Sequence, residues 1–146
     1  MNKEFVMRGQ TASGETELLE FGGRKPGYGY ILTEFVIYPS TGIGSAADEL
    51  SGSITAGKTA VAPTDPNFNN EGLIGTAIRT QYSSALYAGS SDSIVNDTFL
   101  ITQNLILMVM NSAGSPINWQ CRFEAVKLNS SQEAVANYKQ FNIFDD

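Results

Sequence analysis

The sequence predicts an all-β domain: an antiparallel β-sandwich of the jelly-roll kind, closed by one short C-terminal helix. Three observations predict it. Seven or eight runs rich in aromatic and β-branched residues are separated by Gly, Pro, Asn and Ser turn signals. Several of those runs alternate apolar and polar residues with the period of two expected of a strand with one wet face. Helical spacing appears only near the end, where Ala134, Tyr138 and Phe141 fall at i, i+4 and i+7.

The runs follow one another at short intervals. Phe5–Arg8 is a first strand, and Thr11–Gly14 turns the chain so that Glu15–Phe21 can pair back on it. Tyr28–Tyr38 is a strong strand that stops at Pro39. Leu50, Gly52 and Ile54 alternate with Ser51, Ser53 and Thr55. Ile74, Thr76, Ile78 and Thr80 alternate with Ala77, Arg79 and Gln81. Residues 60–72 and 83–93 read as surface loops.

The most apolar stretch is Ile94–Met110. From Leu105 to Met110 it has no polar side chain, so both faces of that strand are expected to be covered. A bend is expected near Asn104. Ile117–Leu128 is the cleanest amphipathic strand, with Ile117, Trp119, Cys121, Phe123 and Ala125 on one face. It is expected to pair with Leu105–Met110 as a hairpin. The expected core is Phe99, Ile101, Leu105, Leu107, Val109, Trp119, Cys121 and Phe123. Ser130 and Glu133 have the spacing of a helix capping box. Neither a repeat nor an interdomain linker interrupts residues 1–146, which read as one domain.

Composition narrows function mainly by exclusion. Charged residues are 16% of the chain and the net charge is −6. There is no basic run, so nucleic acid is not an expected partner. The chain has no histidine, which removes the commonest general base and metal ligand. Its one cysteine, Cys121, excludes an internal disulfide and falls on an apolar strand face, as a packed thiol would. No apolar run approaches the about 20 residues of a membrane-spanning helix, and no secretory signal is expected. The sequons at Asn96 and Asn129 carry no weight without one.

Four patterns invite chemistry. Gly52-Ser-Ile-Thr-Ala-Gly-Lys-Thr59 matches the phosphate-loop pattern, but no buried strand precedes it, and Pro63 and Pro66 leave little room for the helix that must follow. A chance match is expected. Asp65, Asn67, Asn69 and Glu71 place oxygen ligands at every second residue, a candidate calcium loop outside the EF-hand pattern. No other cofactor is expected. Asp48–Glu49 and Asp92/Asp97 are candidate acid–base pairs, with an acidic loop surface as the simpler account. Tyr28, Tyr30 and Tyr38 are expected to alternate along one strand face, where stacking on sugars is one reading and a core edge or subunit interface the commoner one.

The order of the C-terminal half carries a resemblance. Phe99-Leu-Ile-Thr-Gln-Asn-Leu105, the arm Ile117–Leu128 and then Glu133-Ala-Val-Ala-Asn-Tyr138 resemble the small jelly-roll capsid and vertex proteins of non-tailed viruses, over roughly residues 94–141. The resemblance implies a non-enzymatic structural subunit located in the virion. Its partners would be copies of itself, a ring of five being favoured, and other capsid proteins. The absence of a basic arm departs from subunits that package a genome directly. Expected contact residues are Phe68, Tyr87, Ile143 and Phe144, with the 60–72 and 83–93 loops. The alternative is a carbohydrate-binding β-sandwich module that uses Phe68, Tyr82 and Tyr87.

Overall fold

A computed structural model describes residues 3–21, 27–43, 47–81 and 89–145, with residues 140–145 described through their backbone. Eight strands precede one helix: β1 (Glu4–Thr11), β2 (Thr16–Leu19), β3 (Tyr28–Pro39), β4 (Asp48–Thr55), β5 (Leu73–Gln81), β6 (Ser90–Val95), β7 (Leu105–Asn111), β8 (Ile117–Lys127) and α1 (Ser130–Asp145). They form a three-stranded sheet, β1-β8-β3, and a five-stranded sheet, β2-β7-β4-β5-β6, with every pairing antiparallel.

This order follows that of a jelly roll in three of its four pairings. A long antiparallel ribbon rolled into a sandwich pairs its first strand with its last, second with seventh, third with sixth and fourth with fifth. β1 pairs β8, β2 pairs β7 and β4 pairs β5. The third pair departs from the scheme. β6 bonds to β5 instead, and among the described residues no backbone hydrogen bond joins it to β3. A cleft of about 240 Å³ separates Phe35–Ile37 of β3 from Ser91–Ser93 of β6. Arg79 closes its rim by placing its guanidinium 4.5 Å from the Tyr38 ring centroid. The first half of the same β3 edge is satisfied by a two-way bridge, Tyr30 N–H to Ile101 O at 2.9 Å and Ile101 N–H to Tyr30 O at 2.7 Å.

Two expected pairings are corrected by this order. β7 and β8 do not form a hairpin: they lie in opposite sheets. Their inward residues Leu105, Leu107 and Val109, and Ile117, Trp119, Cys121 and Phe123, therefore belong to the two opposed sheets that enclose the core. β2 likewise pairs with β7 and not with β1. In both places a short turn carries the chain from one sheet to the other. Gly14 (φ +84°) makes the first possible and donates its N–H to Val109 O at 2.8 Å.

The expected core set is buried throughout, from Phe99 to Phe123. Phe5, Phe21, Tyr30 and Phe123 form an aromatic cluster at one end, the Phe5 and Phe123 rings stacked at 5.5 Å and Phe21 edge-on to Phe123 at 5.1 Å. Burying one such ring contributes about 1.5–3 kcal/mol. In the middle the sheets approach closely because two inward positions lack side chains. A Cβ at Gly52 would sit 2.9 Å from Phe35 Cζ, and one at Gly75 2.9 Å from Leu32 Cδ2.

Strand phase differs from a simple period of two in two places. A bulge at Thr33 shifts the register of β3, so Tyr30 and Leu32 face inward before it and Phe35 and Ile37 after it. Tyr30 thus packs among Phe5 and Phe21 while Tyr38 is exposed, and the two tyrosines do not share a face. A second irregularity near Ile74 puts Ala77 inside and leaves Ile78 exposed.

β7 also differs from expectation. Leu105, Leu107 and Val109 are fully buried, but Ile106, Met108 and Met110 alternate with them as half-exposed residues on the outer surface. That face is only partly covered. The bend near Asn104 is present, and its side-chain carbonyl accepts the Phe21 N–H at 2.7 Å.

The helix is capped one residue earlier than the spacing suggested. Asn129 Oδ1 accepts the Gln132 N–H at 2.8 Å, and Asn129 N–H donates to Gln132 Oε1 at 3.0 Å. The docked residue is Ala136, whereas Ala134 and Tyr138 are exposed. The expected apolar face of α1 therefore points away from the sandwich over its described part. No helix among the described residues is long and apolar enough to cross a membrane.

Candidate interaction surfaces

The two sheets present different outer faces. On the three-stranded sheet, Glu4, Arg8, Glu34, Arg122 and Glu124 point outward, and Arg122 pairs with Glu4 at 3.8 Å. On the five-stranded sheet, the outward positions carry charge only at Glu49 and Asp92. The rest are apolar or hydroxyl-bearing. Leu18 lies beside Ile106, followed along β7 by Met108 and Met110, and Ile78 and Ile94 lie on the other side. Leu18, Ile78 and Ile94 are each more than half exposed.

Between these two apolar rows, the chain after β4 folds back over its own strand. Ser53 Oγ donates to Val61 O, and the Val61 N–H donates to Thr55 Oγ1 at 3.1 Å. Ser53 is fully buried as a result. This arrangement decides the phosphate-loop match. Gly52–Thr55 is strand, with Gly52 turned toward Phe35, and residues 56–59 form a bend that no helix follows. Contrary to expectation a largely buried strand does lead into the bend, but it is antiparallel to its neighbours, and the helix whose N-terminal amides would cradle phosphate is missing.

Gly57, Lys58 and Thr59 instead line a polar groove of about 550 Å³ with Asn69, Asn70 and Glu71. The structure thus joins the end of the phosphate-loop match to half of the calcium candidate. Asp65, Asn67, Asn69 and Glu71 are all exposed. Asn67 Oδ1 accepts the Asn69 N–H at 3.0 Å, and Asn70 Oδ1 accepts the Gly72 N–H at 2.9 Å, so these amides shape turns within the loop. Among the described residues no group of three or more Asp, Glu, His or Cys converges as a metal site would.

Phe68 stands at the tip of this loop, 64% exposed, in an open hollow with Pro66, Asn67 and Asn69. Tyr82 and Tyr87 lie outside the described residues, as do the side chains of Ile143 and Phe144.

The candidate acid–base pairs are not assembled. Strand alternation puts Asp48 inside and Glu49 outside. Asp48 Oδ2 accepts from Gln81 Nε2 at 3.1 Å, while its Oδ1 is buried without a partner. Asp92 is on β6 and Asp97 in the turn after it, both exposed. Cys121 is fully buried, and burial pushes its thiol from 9.0 up to about 12, which keeps it neutral.

One cleft was not legible in the sequence. It lies between α1 and the segment before β7, has a volume of about 360 Å³, and is lined mainly by apolar atoms of Phe99, Leu100, Val135 and Ala136. Lys139 stands at its rim with Nζ 5.8 Å from the Phe99 ring centroid. Its two walls are distant in sequence, so no local pattern could have marked it.

No family model, no curated protein and no solved structure matches the chain.

Proposed function

We propose that this chain is a non-enzymatic structural subunit of a virion, a shell or vertex component that works by assembling with copies of itself. The observation that carries the proposal is the apolar and hydroxyl-bearing outer face of the five-stranded sheet, where the outward strand positions carry charge only at Glu49 and Asp92. A chain of net charge −6 repels its own copies, so association favours a surface where that charge is sparse. The face around Leu18, Ile106, Met108, Ile78 and Ile94 is such a surface. Single exposed apolar residues are ordinary, but rows of them on one sparsely charged sheet favour an interface. The jelly roll suits this role, because its walls are rigid packed sheets. A closed ring of five is the favoured assembly, with other capsid proteins as further neighbours.

Leu18→Glu with Ile78→Glu tests the reading. Both side chains are more than half exposed, so the fold is expected to persist. The pair should lower oligomer mass in sedimentation at micromolar chain. Unchanged mass would count against this face.

Phe68 favours a second reading, a carbohydrate-binding module. An exposed ring flanked by the amides of Asn67 and Asn69 is a suitable platform for a sugar face. A glycan array comparing the native chain with Phe68→Ala decides it: binding lost in the variant supports the module, and no binding by either removes it.

A further inference from the structure

The polar groove beside Phe68 has two walls tied at their base. The chain leaving β4 forms one wall and the chain entering β5 the other, and the Ala56 N–H donates to Gly72 O between them at 2.7 Å. The second wall is a pair of turns, closed by Asn70 N–H to Asn67 O at 3.0 Å and by Leu73 N–H to Asn70 O at 3.1 Å. Gly57 and Gly72 are buried and bring no side chain, so the chemistry of the groove is set by Lys58, Thr59, Asn69, Asn70 and Glu71, all exposed.

Most of that chemistry is unengaged. Among the described residues, the side chains of Lys58, Thr59 and Glu71 hold neither a hydrogen bond nor an ion pair. The Asn70 carboxamide is fixed through Oδ1, which accepts the Gly72 N–H at 2.9 Å, and this leaves its Nδ2 hydrogens to donate elsewhere. The set selects a ligand class by exclusion. Ala56 brings the one hydrocarbon side chain of the lining, so an acyl chain or an apolar peptide anchor gains little there. One cation and one carboxylate balance, and the chain's net charge of −6 adds to the cost of a polyanion. A lone carboxylate facing an ammonium is a poor cation site. A neutral ligand rich in hydroxyls fits, because each hydroxyl can donate to Glu71 and accept from Lys58, Thr59 or Asn70.

The groove is continuous with an apolar platform. Asn69 lines both the groove and the hollow that holds the Phe68 ring. At about 550 Å³ the groove falls within the about 300–1,000 Å³ of sites that enclose drug-sized ligands, which suits a short oligosaccharide better than a single sugar ring. We propose that it binds a short neutral oligosaccharide, with Glu71 accepting from the sugar hydroxyls, Lys58 and Asn70 donating to sugar oxygens, and one ring lying against Phe68. This rests on the carbohydrate reading above and supplies its polar half.

An array of neutral, sialylated and sulfated di- to tetrasaccharides tests the proposal on the full chain, followed by calorimetry with the best neutral binder. Glu71→Ala and Lys58→Ala should each weaken that binding by at least about tenfold, the effect of losing a bond to a charged group. Both positions are exposed, so the melting temperature should not fall. Across monodeoxy analogues of the binder, at least one loss of affinity should disappear in Glu71→Ala, because the hydroxyl and its acceptor are then already uncoupled. Binding that falls in Phe68→Ala but ignores Glu71→Ala and Lys58→Ala overturns the groove and leaves the Phe68 reading standing. A preference for sialylated or sulfated glycans that Lys58→Ala abolishes and Glu71→Ala does not touch would assign the groove to an anion and also overturn the proposal. A native chain that binds no glycan overturns both readings.

Discussion

Gly52→Ala probes the closest approach of the two sheets. The added methyl would lie 2.9 Å from Phe35 Cζ and 3.2 Å from Ile37 Cγ2. Phe35 is fully buried and has no outward path. Forcing a carbon into a packed core costs about 1–3 kcal/mol. Against this, alanine loses less backbone freedom on folding than glycine, a gain of about 0.5–1 kcal/mol. Steric cost should win, with a net loss of about 1–2 kcal/mol. For a chain of this size that corresponds to a melting temperature lower by about 2–8 °C. Calorimetry of Gly52→Ala, Phe35→Leu and the double variant measures it. Phe35→Leu removes the ring carbon that the methyl meets, so the double variant should be more stable than the sum of the single losses, by at least about 0.5 kcal/mol. A higher melting temperature for Gly52→Ala, or strict additivity, would refute the packing argument.

Three further outcomes are expected. Asn129→Ala removes both bonds of the helix cap and should cost about 1 kcal/mol, seen as faster amide exchange over residues 130–139 with little change in the strands. Trp119→Phe removes the bond from Trp119 Nε1–H to Thr11 Oγ1 at 2.9 Å but leaves Thr11 bonded to Glu17, so the loss should be about 1 kcal/mol in denaturant titration. The raised Cys121 pKa makes the folded chain hold a proton that the unfolded chain loses above 9.0. Its contribution to stability is therefore flat below pH 9 and falls as pH rises toward about 12. Urea titrations of native chain and Cys121→Ala over that interval should converge as pH rises, and parallel curves would contradict it.

What the sequence revealed and what it concealed have physical causes. Strand positions were legible because Leu50, Gly52 and Ile54, or Trp119, Cys121 and Phe123, alternate visibly, and all the expected core residues are buried. Strand partners were not legible. A turn such as Ser112–Pro116 has the same chemistry whether it joins neighbours in one sheet or crosses between two. Bulges hid the phase of β3 and β5, since one extra residue at Thr33 moves Tyr30 to the opposite face from Tyr38. Of the candidate sites, the 65–71 loop was found by its oxygen spacing. The sparsely charged sheet face needed the pairing of five strands, and the cleft under α1 needed the tertiary contact between Phe99 and Lys139.

The central claim is self-assembly, and native mass across a range of chain concentrations tests it most directly. The account predicts a closed oligomer, five copies being favoured, whose mass falls when Leu18 and Ile78 are made acidic. A single monomeric species from nanomolar to high micromolar chain would contradict it.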